Sequence, residues 1–210
     1  EFDKAIEKVL TSARYIMGPE VTELEAKLTQ FTQAKYALSC SSGTDALLLA
    51  LMAIDVGPGD EIITSPFTFI STAETIALLG ATPVFIDIKE DSYNIDVSQV
   101  EAKINEKTKA ILPVSLYGQV ADMNELNQIA EKYHLPVIED AAQSFGASYH
   151  GKKSCSLTTL ACTSFFPSKP LGCFGDAGAV FTNDSQLSEK MSSLRLHGQS
   201  KRYQYQHIGL

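Results

Sequence analysis

The segment Lys35–Val56, KYALSCSSGTDALLLALMAIDV, reads as a strand, a glycine turn and a helix in succession. "KYALSC" is a short apolar run of strand length, while "SSGTDALLLALMAIDV" is a turn opening into a strongly apolar helix that has to be buried. "GPGD" (57–60) closes the unit, and the alternation then repeats along the chain. "EIITS" (61–65), "TPVFIDI" (82–88), "TKAILPVSL" (108–116) and "LPVIEDAAQ" (135–143) read as strands. Between them, "STAETIALLGA" (71–81), "DVSQVEAKI" (96–104, begun by an aspartate cap) and "DMNELNQIAEKYH" (122–134) read as helices. Upstream, "GPEVTELEAKLTQFTQA" (18–34) sets Val21, Leu24, Leu28 and Phe31 on one helical face, with Pro19 favourable in the first turn. Strands with continuous apolar cores that alternate with helices predict an α/β fold, a mostly parallel sheet covered by helices on both faces. Residues 1–210 read as one compact unit without repeat or linker, with a short further element after "LRLHGQ" (194–199). Ligands of such sheets bind at the carboxyl ends of the strands.

Composition narrows the classes. An apolar fraction of 44% and a mean hydropathy of −0.01 are those of an ordinary globular protein. No apolar run approaches the ~20 residues that span a bilayer, and the opening "EFDKAIEKVL" has neither the basic nor the apolar region of a signal peptide. The missing initial methionine points to a trimmed N-terminus. A net charge of −8 and a pI near 5.0 argue against nucleic acid or an anionic membrane as partner, though not against a small anionic ligand. Cys40, Cys155, Cys162 and Cys173 form no C-x-x-C pair, so reduced thiols in the cytoplasm are expected, and no metal site.

Three strand ends carry groups able to do chemistry. Ser41-Ser42-Gly43-Thr44-Asp45 brings a glycine turn to a helix N-terminus, where free N–H groups and the Thr44 hydroxyl suit an anion; taken alone, the same residues read more simply as an ordinary N-cap by Ser42 or Thr44. Glu139-Asp140-Ala141-Ala142-Gln143 ends a buried strand in carboxylates, which are costly there unless a cation or donor meets them. Asp140 either caps a helix or holds the protonated ring nitrogen of a cofactor. The third is "SFFPSKPLGCFGDAGAVFT" (164–182), with Lys169 between Pro167 and Pro170 and before Gly172, Gly175 and Gly178. Lys169 is either an exposed turn lysine or an enclosed amine usable as a nucleophile. An anion cradle, an acid for a pyridinium and an enclosed lysine are together the parts needed for pyridoxal 5'-phosphate.

With "YIMGPEVTELE" (15–25), "SSGTDAL" (41–47), "GDEIITSPFTF" (59–69), "GATPVFIDI" (80–88), "VIEDAAQSFGA" (137–147), "SFFPSKPLGCFGDAGAVFT" and "LRLHGQ" in this order, nearly the whole chain resembles the DegT/StrS-type nucleotide-sugar aminotransferases. The resemblance implies the large domain of a fold-type I pyridoxal-phosphate aminotransferase. By it, Lys169 is the Schiff-base lysine and proton shuttle, and Asp140 pairs with the pyridine nitrogen. Gln143 contacts the phenolic oxygen, Phe69 stacks on the ring, and Ser164, Gly43, Thr44 and the Asp45 backbone hold the phosphate. Phe69 could instead be a core aromatic beside Phe67. Family members with histidine in place of the lysine dehydrate their substrate, so Lys169 favours transamination.

The variants "PVSLYGQVADM" (113–123) and "ACTSFFPSKPLGC" (161–173) resemble the branch that aminates a 3-keto UDP-N-acetylglucosaminuronic acid with glutamate as donor, a step that feeds surface-polysaccharide synthesis. Tyr117, Arg195 and His197 are candidate substrate-side groups, His197 equally a loop residue. The resemblance also implies a homodimer, a small C-terminal domain beyond "HIGL" (207–210) and a phosphate contact from the neighbouring subunit. A non-catalytic binding or regulatory module on the same fold is the contrasting expectation, and the Lys169, Asp140 and Gln143 set speaks against it.

Overall fold

The computed structural model describes residues 1–210. The chain opens with helices α1 (Phe2–Ser12) and α2 (Pro19–Thr32), then strand β1 (Tyr36–Cys40) and helix α3 (Gly43–Ala53). Strand β2 (Glu61–Thr64), helix α4 (Ser71–Leu78), strand β3 (Thr82–Phe85) and strand β4 (Thr108–Leu112) follow. Next come helix α5 (Met123–Tyr133), strand β5 (Ile138–Asp140) and a small hairpin of β6 (Ser148–Tyr149) and β7 (Lys152–Lys153). Strands β8 (Leu160–Ser164) and β9 (Gly178–Thr182), helix α6 (Ser185–Leu194) and a hairpin of β10 (Gln199–Lys201) and β11 (Gln204–Tyr205) complete it.

Seven strands line up in the order β3-β2-β4-β5-β8-β9-β1, with β4 and β5 joined by the parallel bridges Ile111–Val137 and Val114–Asp140. The sheet is mostly parallel, as expected; β9 alone runs antiparallel to both its neighbours, β8 and β1. Alternate residues of one strand serve opposite faces. Ile62, Ala110, Leu112 and Val180 pack into a core with the α3 residues Leu47, Leu49 and Leu51. Their neighbours Ile63 and Ile111 pack with Met123 and Leu126 of α5, and Ala179 and Phe181 pack with Leu28 of α2. Burial on both sides explains why β8 and β9 are apolar without a polar alternation. Each large side chain so enclosed, Phe181 for example, contributes about 2 kcal/mol of transfer free energy.

Several local expectations are corrected. "DVSQVEAKI" forms two 3₁₀ turns, Val97–Gln99 and Glu101–Lys103, rather than an α-helix. Val97 and Val100 are both buried, and the three-residue period of a 3₁₀ turn puts them on one side. The aspartate cap itself stands, with Asp96 accepting from the Ser98 N–H at 3.1 Å. On α2 only Leu28 of the four expected face residues is buried; Phe31 lies at the surface and stacks on Phe145 at 5.2 Å. Helix α1 lay outside the sequence reading, although Phe2, Ile6 and Leu10 recur at helical spacing; none of its residues is buried, and this apolar stripe faces outward with Phe2 against exposed Phe174. The element after "LRLHGQ" is the β10–β11 hairpin.

Arg195, expected near the site, instead braces the edge of the sheet. Its guanidinium pairs with Glu25 of α2 and donates to the Ser39 carbonyl of β1 at 2.9 Å. Glu25 also accepts from the Ser39 N–H and hydroxyl, each at 2.9 Å. The two charged side chains are 12% and 19% exposed, so removing one leaves the other charge largely desolvated. Arg195→Ala is therefore expected to destabilise the protein by about 2 kcal/mol, read as a lower urea midpoint. An unchanged midpoint would show that the pair carries no net stability.

Candidate active site

The register of β9 assembles the site. Cys40 at the end of β1 and Ser164 at the end of β8 both pair with Gly178, so the turn after β1 lies beside the loop after β8. Two glycines permit this approach: a Cβ on Gly43 would lie 2.5 Å from the Ser164 Cβ, and one on Gly178 would lie 2.3 Å from the Ser42 carbonyl oxygen. Ser42 is the N-cap of α3, its hydroxyl accepting the Asp45 N–H at 3.0 Å. The capping reading is thus correct for Ser42, and it leaves other N–H groups of the first turn free. By helix geometry the Gly43 and Thr44 N–H groups have no partner inside α3, and both residues line the adjoining cavity. Ser164 accepts the Phe166 N–H at 3.2 Å, which leaves its own proton free to donate. Asp45 departs from expectation. Its N–H is committed to the cap, its carboxylate takes the Ser41 hydroxyl, and it does not line the cavity.

The acids of β5 point to opposite faces. Glu139 is fully buried and accepts from the Ser115 hydroxyl (2.7 Å), the Ser154 hydroxyl (2.8 Å) and the Cys155 N–H (2.9 Å), which knit the loops after β4 and β7 to the strand. Asp140 is 6% exposed and turns to the cavity. It caps no helix: Thr72 donates to its Oδ2 at 2.8 Å, and the Ala142 N–H donates to Oδ1 at 3.2 Å. Burial pushes the Asp140 carboxyl above the usual aspartate range; these donors, and then the Lys169 charge, pull it partly back. Glu139 is likewise pushed up by burial.

Lys169 lies in the loop between β8 and β9, half-buried, and it lines the same cavity as Asp140. The loop folds tightly, with Lys169 N–H donating to the Phe166 carbonyl and Cys173 N–H to the Phe165 carbonyl, each at 2.8 Å. The two prolines stiffen this turn. The exposed-turn reading of Lys169 is overturned by its place in the cavity.

The cavity measures about 530 Å³ and is bounded by the N-terminus of α3, the ends of β5 and β8 and the loop before α4. Phe69 stands on its wall and is 65% exposed, so it is not a core aromatic; Phe67 instead stacks on Tyr93 at 5.7 Å. The Gln143 side-chain oxygen accepts the Tyr117 N–H at 2.9 Å, which turns its amide N–H₂ toward other partners. Tyr117 is 69% exposed and borders the mouth beside Gln143 and Lys169. Neither Arg195 nor His197 reaches the cavity: Arg195 lies in a separate groove with Glu25, and His197 is an exposed loop residue whose N–H donates to the Leu210 carbonyl. The sequence reading missed Thr68, Thr72, Glu74, Ser168 and Asp176, of which all but Thr72 line the cavity. A signal for the first two was present, hydroxyls at i and i+4 across the start of a helix.

Fold and site define a class. The model of the DegT/DnrJ/EryC1/StrS aminotransferase family matches residues 1–210, and the chain belongs to that family. It is 59% identical over 210 residues to the UDP-2-acetamido-2-deoxy-3-oxo-D-glucuronate aminotransferase of Pseudomonas aeruginosa, covering 100% of this chain and 58% of that protein. The crystal structure of a DegT DnrJ EryC1 StrS aminotransferase from Brucella abortus superposes with a TM-score of 0.96 at 44% identity, over 99% of this chain and 58% of that one. NtdA from Bacillus subtilis, solved with bound cofactor PMP, superposes with a TM-score of 0.93 at 33% identity, over 99% of this chain and 47% of that one. The fold is that of fold-type I aminotransferases. The chain spans about half the length of these proteins.

The raised Asp140 carboxyl fixes a sign. An acid that is harder to ionise in the folded state adds stability below the ordinary aspartate range and loses it as pH rises through the folded value. In the cofactor-free protein Asp140→Asn is expected to raise Tm by about 3 °C near pH 8, with the gain vanishing in acid. Scanning calorimetry across pH checks this; a pH-independent difference would contradict it.

Proposed function

We propose that this chain is the cofactor-binding part of a pyridoxal-phosphate-dependent aminotransferase that moves an amino group from glutamate to a keto nucleotide-sugar. The observation that carries the reading is that Lys169 and Asp140 share one cavity with the open N-terminus of α3. The residues present fit the cofactor. A buried carboxylate is met by a single lysine, unpaired N–H groups sit where a phosphate would bind, and the volume suits a small ligand. When bound, pyridoxal phosphate supplies an electron sink and carries the amine between donor and acceptor.

The chain's own residues then have distinct tasks. The Gly43 and Thr44 N–H groups and the Ser164 hydroxyl hold the phosphate, helped by the positive end of the α3 dipole. Asp140 holds the proton on the ring nitrogen through its carboxylate. Phe69 covers one face of the ring and keeps water from it. Gln143, its oxygen already taken by the Tyr117 N–H, offers its N–H₂ to the phenolic oxygen. Lys169 Nζ is the covalent anchor and the atom that takes up and returns the proton.

The name of the 59% identical relative supports a UDP-linked 3-keto uronic acid as substrate; a place in surface-polysaccharide synthesis is what the sequence resemblance implies. Tyr117, at the mouth, is the substrate-side residue that remains of the three expected. The outward apolar stripe of α1 supports a homodimer. All four cysteines are free, which supports reduced thiols and with them the cytoplasm, and burial pushes the Cys155 and Cys162 thiols up, and Cys40 to about 12, away from the reactive thiolate.

In the complete protein, Lys169→Ala is expected to abolish turnover, a loss of at least roughly a thousandfold, with the fold retained. Borohydride reduction followed by peptide mapping should place the cofactor on Lys169, and glutamate should shift the visible absorbance band. Label on another lysine would sink the assignment.

A further inference from the structure

Behind Asp140 runs a short chain of hydroxyls that none of the roles above uses. Thr72, in the first turn of α4, is fully buried and donates to Asp140 Oδ2 at 2.8 Å. Its oxygen also lies 2.9 Å from the Thr68 hydroxyl, and Thr68 lines the cavity. A threonine hydroxyl has a single proton, which fixes the direction of every bond in this chain. While Asp140 is ionised, the Thr72 proton is spent on the carboxylate. The 2.9 Å contact then requires Thr68 to donate to Thr72, so Thr68 can show the cavity only acceptor lone pairs. If Asp140 is protonated on Oδ2, both bonds reverse and Thr68 presents a donor instead.

We infer that Thr72 is a positioning residue for Asp140, and that the Thr72–Thr68 pair converts the charge on Asp140 into the hydrogen-bonding polarity that Thr68 presents to the ligand. The inference rests on the cofactor role proposed for Asp140. Two further observations support it. Asp140 has only two donors within the protein, Thr72 and the Ala142 N–H, so Thr72 supplies half of its hydrogen bonding. The Thr72 bond is also the largest influence opposing the upward push of burial on this carboxyl. The titratable group acting on Asp140 is Lys169 from the β8–β9 loop; Asp140 in turn bears on Glu139 across β5, Cys162 on β8 and Cys155 after β7, and Glu74 and Asp176 line the same cavity. Of these Lys169 alone favours the ionised form. An acceptor at Thr68 suits a ligand that brings an N–H or O–H to the cavity wall, as an amino donor or a sugar hydroxyl does.

The test uses the complete protein and has two arms. In the cofactor-free form, the Asp140 carboxyl is titrated by carbon-13 NMR. Thr72→Val should move its titration to higher pH, Thr72→Ser should restore it, and Thr68→Val should leave it in place because the Thr72 donor is intact. In the loaded form, Thr72→Val should lower kcat about tenfold, the worth of one hydrogen bond to a charge, and displace the pH profile of the absorbance band. Thr68→Val should raise KM while leaving that profile alone. A Thr72→Val protein that binds cofactor yet titrates and absorbs as the wild type overturns the inference. So does a Thr68→Val protein with unaltered KM. Failure of the cofactor role would show differently, as no absorbance band in the wild type or a band indifferent to Asp140→Asn.

Discussion

A carboxylate at the carboxyl end of a buried strand is the constraint around which this molecule is arranged. Asp140 is almost wholly enclosed, and the protein offers it two hydrogen bonds and one nearby cation. Burial makes its ionised form costly, and only these few partners offset that cost. In the function proposed above, a cationic ligand would complete the pairing. The neighbouring Glu139 shows the contrast. Three donors from two loops surround it on the other face of β5, and it acts as a knot that steadies the strand carrying Asp140.

The reversed strand β9 serves the same end. Because Cys40 and Ser164 both register against Gly178, the ends of β1 and β8 arrive at one level and open toward one cavity. Glycine at 43 and 178 is required there because any Cβ would collide with its neighbour across the gap. The placing of the α3 N-terminus beside the loop bearing Lys169 is therefore a consequence of sheet register as much as of local sequence.

Much of this was legible beforehand because it depends on local rules. The buried helix in "SSGTDALLLALMAIDV", the capping serine, the acid ending "PVIED" and the proline-flanked lysine each carry their meaning within a few residues. The parallel sheet followed from alternation and from strands apolar on both faces. What failed did so where a second element decides. Arg195 reads as a polar residue beyond a helix, but its partner Glu25 lies 170 positions away in sequence. Asp45 looks available until Ser41 and Ser42 are seen to occupy it, and "DVSQVEAKI" looks α-helical until the burial of Val97 and Val100 demands a tighter turn.

By itself, then, the sequence determined which residue types would stand at the strand ends and which backbone would carry them, since propensity, capping and apolar period act over a single turn or strand. Which of those residues would meet was decided only by the tertiary structure. The pairing of β9 with β1 and β8 brings positions 40, 164 and 178 together, and the packing of α4 aims Thr72 at Asp140 across 68 positions. Hydrogen bonds and desolvation depend on distances of a few ångströms, and such distances between remote segments exist only once the core has closed.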